Sequence, residues 1–246
     1  MIIVKNTKPT RDIEMPITEL PEIRQLPLFA AMTDDSFDDL TRGAYIQTFP
    51  PQVELIAEGD PCDFLHIITA GAVELFSRWN NHETTMAITR PVSTFILAAT
   101  IKDAPYLMSA RTLEKSRIIL LPSTDVRNIF DTDNGFARSV VEELAQCYRA
   151  VIKNTKDLKL RTSIERLANY LLRQQAYANV TGPFDLRTEK RLIASQLGMT
   201  PENLSRAIKT LKPYGVTING ATVTIADRTD LIGLAKPTPL IDDPAS

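Results

Sequence analysis

Four polar side chains close to residue 200, Glu202, Ser205, Arg206 and Lys209, carry the most specific chemistry in the chain. Their spacing of three, one and three puts them on one exposed face of a helix, while Leu204, Ile208 and Leu211 take the buried face. Arginine donates two parallel hydrogen bonds to guanine O6 and N7, and a carboxylate accepts from cytosine N4. Such groups near the start of a helix suit reading base edges in a DNA major groove, with Glu202, Ser205 and Arg206 as the readers. Lys190, Lys209 and Lys212, with the Thr200 hydroxyl, are placed for phosphate contacts, which add affinity and salt dependence but no sequence information. The alternative is a protein-interaction module on which Glu202 and Arg206 form only a surface ion pair.

Those residues need a rigid mount, and the flanking sequence supplies one. Thr188 is expected to cap a first helix that buries Leu192, Ile193 and Leu197, with Ala194 small enough for close packing. Gly198 marks a tight turn. Thr200 reads as an N-cap, Pro201 as the first helical residue, and Glu202 as an acid in the first turn. Gly215 ends that helix. Val216–Ile218 and Val223–Ile225 flank Asn219-Gly220, which predicts a two-residue type I′ hairpin. Two helices, a glycine turn and a hairpin make a winged helix-turn-helix. Upstream, Thr162 and Glu165 form a capping box for a helix over 163–178, whose stripe is Ile164, Leu167, Leu171 and Leu172.

A single recognition helix reads only a few bases, so a partner copy matters. Phe136 to Leu160 contains neither Gly nor Pro. Val140, Leu144, Cys147, Val151, Asn154 and Leu158 follow each other at four, three, four, three and four, the seam of a parallel two-helix coil. Asn154 in that seam would set register, and Cys147 would be a small buried apolar residue. Val141, Tyr148 and Ile152 lie beside the seam and are expected to pack on the chain's own β-domain. The alternative is a plain amphipathic helix. Lys159–Arg161 reads as a hinge.

Before this helix the pattern changes. Between Tyr45 and Pro122, short apolar stretches such as YIQTF, FLHIITAGAVELF and SRIILLP are broken by Gly, Pro and Asn, which predicts an antiparallel barrel or roll. TDDSFDDLTRGA is a short helix with an acidic start. The expected organisation is an irregular arm (1–20), a β-roll sensor (21–132), a dimerisation helix (133–160), a DNA-binding domain (161–234) and a disordered Pro-rich tail (235–246). That is an α+β fold.

Composition bounds the rest. The 246 residues hold 28 Lys+Arg and 30 Asp+Glu, but the charge is uneven. From Lys156 onward 13 basic residues face 9 acidic ones, which suits one phosphate-binding domain on an acidic body. Two cysteines, Cys62 and Cys147, suggest neither a disulfide framework nor zinc, and are too few for a four-thiolate iron–sulfur cluster. No apolar run of about 18 residues exists, so no membrane contact is expected. The start of the chain lacks the features of a secretory signal, so a cytoplasmic protein is the default.

The roll segment VELIAEGDPCDFLHIITAGAVELF and the segment EKRLIASQLGMTPENLSRAIKTL resemble the Crp–Fnr superfamily of bacterial transcription regulators. The resemblance covers nearly the whole chain. Glu202, Ser205 and Arg206 match the E-x-x-S-R of the Fnr, FixK and Dnr branches. It implies a homodimer on double-stranded DNA with TTG-type half-sites: Arg206 on guanine, Glu202 on the opposing cytosine and Ser205 near thymine. RNA polymerase is an expected partner, and activation an expected mode.

The resemblance places an effector pocket at Phe95, Leu97, Ala98, Met108 and Ser109. The cyclic-nucleotide branch carries F-G-E-L there, then Arg-Ser. This chain has Phe95-Ile96-Leu97-Ala98-Ala99, then Met108-Ser109. The ribose-binding carboxylate and the phosphate-binding guanidinium are both replaced by apolar groups, and a buried phosphate without a cation is costly. Cyclic AMP and an iron–sulfur cluster are therefore disfavoured as cofactors. The NnrR and Dnr branches respond to nitric oxide with haem proposed as the sensor, so haem is a candidate, with His66, His82, Cys62 or Met108 as weak candidate ligands. Other relatives sense small aromatic acids, and FixK-like ones need no ligand. No metal site is assigned with confidence. A β-roll enzyme is the rival class, but its sites need clustered His and carboxylate ligands, and this chain has two histidines in unlike contexts.

Overall fold

The computed structural model describes residues 23–243, so the arm over residues 1–20 lies outside the described residues. Two short helices come first, α1 (Pro27–Ala30) and α2 (Asp34–Arg42); Thr33 caps α2 by accepting from the Ser36 N–H. A roll follows, made of β1 (Tyr45–Phe49), β2 (Glu54–Ile56), β3 (Phe64–Ala70), β4 (Val73–Trp79), β5 (His82–Thr89), β6 (Ser93–Phe95), α3 (Leu97–Lys102), β7 (Ser109–Thr112) and β8 (Ser116–Pro122). Two four-stranded antiparallel sheets form it, in the orders β1-β8-β3-β6 and β2-β7-β4-β5.

The inner faces of the two sheets share one core, which includes Ile56, Ile68, Val73, Leu75, Phe95, Ala110 and Ile118. The first sheet is also covered on its outer face. Leu65 and Ile67 of β3, with Ile119 and Leu121 of β8, pack under α1, α2, α4 (Ser123–Thr132) and the first turns of α5 (Asn134–Leu160). Burial on both faces explains why β3 and β8 read as unbroken apolar runs rather than alternating ones.

The long helix α5 begins at a shared cap. Asp133 accepts from the Phe136 N–H at 2.9 Å, and its other oxygen accepts from the Thr33 N–H and hydroxyl at 3.0 and 2.9 Å. Burial raises the Asp133 pKa, but the N–H groups of Phe136 and Thr33 outweigh it and hold the carboxyl well below the usual range. Phe136 stacks on Phe29 with centroids 6.0 Å apart.

The distal domain contains α6 (Ser163–Ala178), β9 (Phe184–Asp185), α7 (Lys190–Gln196), α8 (Pro201–Leu211), a single 3-10 turn (Lys212–Tyr214), β10 (Val216–Asn219), β11 (Thr222–Ile225) and α9 (Arg228–Ala235). Its core joins Leu167 and Leu171 of α6 to Ile193, Leu204, Leu211, Val223 and Leu231. The Thr162–Glu165 capping box stands as expected. The tail expected to be disordered from 235 is ordered through Asp243 among the described residues: it forms α10 (Pro239–Asp242), and Asp242 pairs with Arg161 and Arg173.

Candidate DNA-reading surface and effector pocket

Helix α8, the candidate recognition helix, is built as its sequence implies. The Thr200 hydroxyl accepts from the Asn203 N–H at 3.2 Å and Pro201 opens the helix. Gly198, at φ 62°, makes the left-handed turn between α7 and α8. Leu204, Ala207 and Leu211 are buried, and Glu202, Ser205, Arg206 and Lys209 are exposed together on the opposite face. Glu202 is held below its ordinary pKa, first by its own backbone N–H, then by the Thr200 hydroxyl and by Arg206. It is therefore a carboxylate acceptor at neutral pH. Ser205 donates to the Pro201 carbonyl at 2.9 Å, which leaves its oxygen lone pairs outward. Lys190 and Lys212 are exposed at the flanks. Arg191, also exposed, lies with Thr200 on one cleft wall; the basic pair Lys190-Arg191 was the signal for it.

Two local expectations shift by one residue. The N-cap of α7 is Glu189 rather than Thr188, and no side chain caps it. In the wing, Asn219 pairs with Thr222, so the turn residues are Gly220 and Ala221. Only Gly220 (φ 62°) has positive φ there, the pattern of a type II′ turn rather than type I′.

The helix seam is corrected more substantially. Val140 is fully buried in the chain's own sensor core, and Leu144 packs partly against that core. Val141, Tyr148 and Ile152, expected to pack on the β-domain, are instead exposed at 61%, 68% and 43%. Cys147, Val151, Asn154 and Leu158 are exposed. Val140 is thus turned away from the free side of α5, where Val141, Tyr148, Val151 and Leu158 stand exposed and Leu144 lies between core and solvent.

In the roll, Phe95 is buried in the inner core and Met108 packs against it. Leu97 turns to the helical core instead, and Ala98 is exposed. Ser109 is buried, and its hydroxyl accepts from the Glu58 N–H at 3.0 Å. Ile96 sits at φ 70°, where a β-branched side chain costs about 1–3 kcal/mol. His66 faces Phe95 with ring centroids 4.9 Å apart, and its Nδ1 has no partner. Burial, only partly offset by a bond to the Phe64 backbone, lowers its pKa to about 4. Cys62 is buried beside the hydroxyls of Thr100 (3.4 Å) and Ser123 (3.6 Å). His82 is far from this interior, on the wall of a different cleft. Among the described residues no three His, Cys, Asp or Glu side chains group as a metal site, and no helix is long and apolar enough to cross a membrane.

That cleft lies between the roll and the C-terminal domain. It encloses about 450 Å³, lined by His82, Glu83, Thr84 and Thr85 of β5 opposite Arg191, Ser195, Thr200, Pro201 and Asn203. The Thr85 N–H donates to the Ser195 hydroxyl at 2.6 Å, and Arg90 donates to the Arg187 carbonyl at 3.1 Å.

Residues 46–133 match the family described as the cyclic nucleotide-binding domain, and residues 165–234 match the Crp-like helix-turn-helix domain. A CRP-like cAMP-activated global transcriptional regulator of Mycobacterium tuberculosis is 24% identical over 217 residues, covering 85% of this chain and 96% of its own length. Among solved structures, FixK2 from Bradyrhizobium japonicum shares the fold at a TM-score of 0.69, with 21% identity over 79% of this chain and 98% of that one. A CooA mutant from Carboxydothermus hydrogenoformans shares it at 0.68, with 18% identity over 79% and 88%.

Proposed function

The chain belongs to the Crp–Fnr superfamily of DNA-binding transcription regulators, and from that premise we propose that it acts as a homodimer on a palindrome with TTG-type half-sites. The observation that carries this reading is the capped start of α8, where Glu202, Ser205 and Arg206 stand exposed together. Arg206 takes guanine, Glu202 the opposing cytosine and Ser205 the neighbouring thymine; Lys190, Thr200, Lys209 and Lys212 hold phosphates. RNA polymerase as a partner, activation and a cytoplasmic location follow from the resemblance alone. Fluorescence anisotropy on TTG palindromes tests the assignment. Arg206→Ala should weaken binding by about 1–3 kcal/mol and relax selectivity at one base pair. Unchanged affinity and selectivity would remove Arg206 from the base-reading set.

The effector enters the roll interior and is not cyclic AMP. The position expected to hold a phosphate carries Met108, packed with Ile68, Phe95 and Tyr106 around the inner core, and the Ser109 hydroxyl is already engaged by Glu58. The M. tuberculosis relative is described as cAMP-activated, so calorimetry with cyclic AMP is the direct check; saturable heat would end this reading. A small apolar or aromatic ligand suits the lining. A second reading rests on His66, whose unpartnered Nδ1 leaves a nitrogen for iron. A Soret band in protein purified with haem, abolished in His66→Ala, would establish haem in place of an organic ligand.

A further inference from the structure

Arg166 lies in the first turn of α6 and is buried, at 9% exposure. Its guanidinium is held by two backbone carbonyls. Nε donates to the Leu197 carbonyl at 2.8 Å, and Nη1 donates to the Arg161 carbonyl at 2.7 Å. Both are short, as bonds from a charged donor are. Taking a guanidinium out of water is costly, and is tolerated where its donors are used.

The two carbonyls belong to two different joints. Arg161 is the residue at which α5 ends. Leu197 ends α7 and opens the turn to α8. The carbonyl end of a helix favours a cation, which suits Arg166 to the end of α7. The same two joints also touch directly. Gly198, next to Leu197, lies against the last turn of α5: a Cβ there would stand 3.0 Å from the Leu158 Cδ2. Arg161 is fixed from its other side as well, because its own guanidinium donates to Asp157 and to Asp242, both at 2.9 Å. Two residues beyond Gly198, Thr200 caps α8. The end of the long helix, the start of α6 and the turn before α8 are thus one joint, with Arg166 at its centre.

That joint sets the direction of α8 relative to α5. In a dimer paired along α5, it also sets the distance and angle between the two copies of α8. Half-sites one helical turn apart are separated by about 34 Å, or about ten base pairs, so one base pair amounts to about 3.4 Å and about 35° of rotation. A loose joint would let the dimer accept neighbouring spacings; a stiff one selects a single spacing.

We propose that Arg166 is a positioning residue that determines half-site spacing: by tying the α7–α8 turn to the end of α5, it fixes where the paired α8 helices meet the duplex. The proposal rests on the reading of α8 as the DNA-contacting helix of a homodimer, and the experiment keeps the two separable. A palindrome enriched from random sequence by the parent protein serves as reference. Variants of it with the centre one or two base pairs longer or shorter, and one with a single half-site scrambled, complete the series for fluorescence anisotropy. The parent should favour its own spacing over the one-base-pair neighbours by about ten-fold. Arg166→Met keeps the apolar stem and removes every donor. It should cut that preference to about three-fold or less, while affinity for the single half-site stays within about two-fold of the parent. Arg166→Lys keeps the charge but not the planar fork, so its preference should fall between the two. Circular dichroism checks the fold, and if Arg166→Met alters it, Arg166→Lys decides. A spacing preference as sharp as the parent's overturns the proposal. So does an equal loss on the single half-site and the palindrome, the mark of a residue that only supports the fold. A parent that enriches no palindrome removes the dimeric DNA reading, and the proposal with it.

Discussion

His66 shows what one residue adds to the roll. It is 4% exposed, stacked on Phe95, and burial keeps its imidazole neutral with a pKa near 4. The folded state therefore resists protonation, whereas the unfolded chain titrates near 6.5. A folded pKa below the unfolded one contributes stability that is full above pH 6.5. That stability is lost as pH falls from 6.5 through about 4, to a total of roughly 3 kcal/mol. Urea melts between pH 7 and pH 4 should show this loss, and His66→Leu should flatten it. An equally steep profile in the variant would assign the acid sensitivity to other groups. From sequence His66 reads only as a weak candidate ligand; its stacking on Phe95, 29 positions along the chain, comes from the β3–β6 pairing.

At the scale of elements, two glycines in helices carry opposite expectations. Gly233 lies in α9 with nothing within 4 Å of where a Cβ would stand. Gly233→Ala should therefore stabilise by about 0.5–1 kcal/mol, the ordinary helix preference. Gly135 lies in the first turn of α5, where a Cβ would come 2.0 Å from the Ala31 carbonyl oxygen. There the clash outweighs that gain, and Gly135→Ala should destabilise by about 1–3 kcal/mol. Denaturant midpoints check both, and a stabilised Gly135→Ala would mean that the α1–α2 connection yields freely. What the sequence made legible follows the same division between local and distant causes. The Thr162–Glu165 box, the Thr200 cap and Pro201 act within four residues, and each stands as read. Helix α9 went unread, although Asp227, accepting from the Asp230 N–H at 3.0 Å, marks its start. The 235–246 tail reads as disordered because it is Pro-rich and polar. Its order comes from Arg161 and Arg173, which are 81 and 69 positions from Asp242 in sequence.

For the whole molecule, the decisive surface is the bare face of α5. Periodicity located an apolar stripe on this helix but could not tell which rungs face the chain's own core and which face a partner. Val140 goes to the core, and Val141, Tyr148, Val151 and Leu158 form the exposed stripe. Tyr148 and Val151 stand 68% and 61% exposed at its centre, an apolar strip of the kind a monomer in water covers. In a parallel pair each residue meets its own copy, so Val151→Glu would set two carboxylates face to face in a seam otherwise worth about 1.5–3 kcal/mol for each large apolar side chain buried. Sedimentation equilibrium should show the parent as a dimer and Val151→Glu as a monomer, with palindrome affinity falling in step. Asn154→Leu separates the two seams. With Asn154 at the centre of the contact, leucine would tighten the dimer markedly; with Asn154 beside it, as the exposed stripe requires, the dissociation constant should stay where it was.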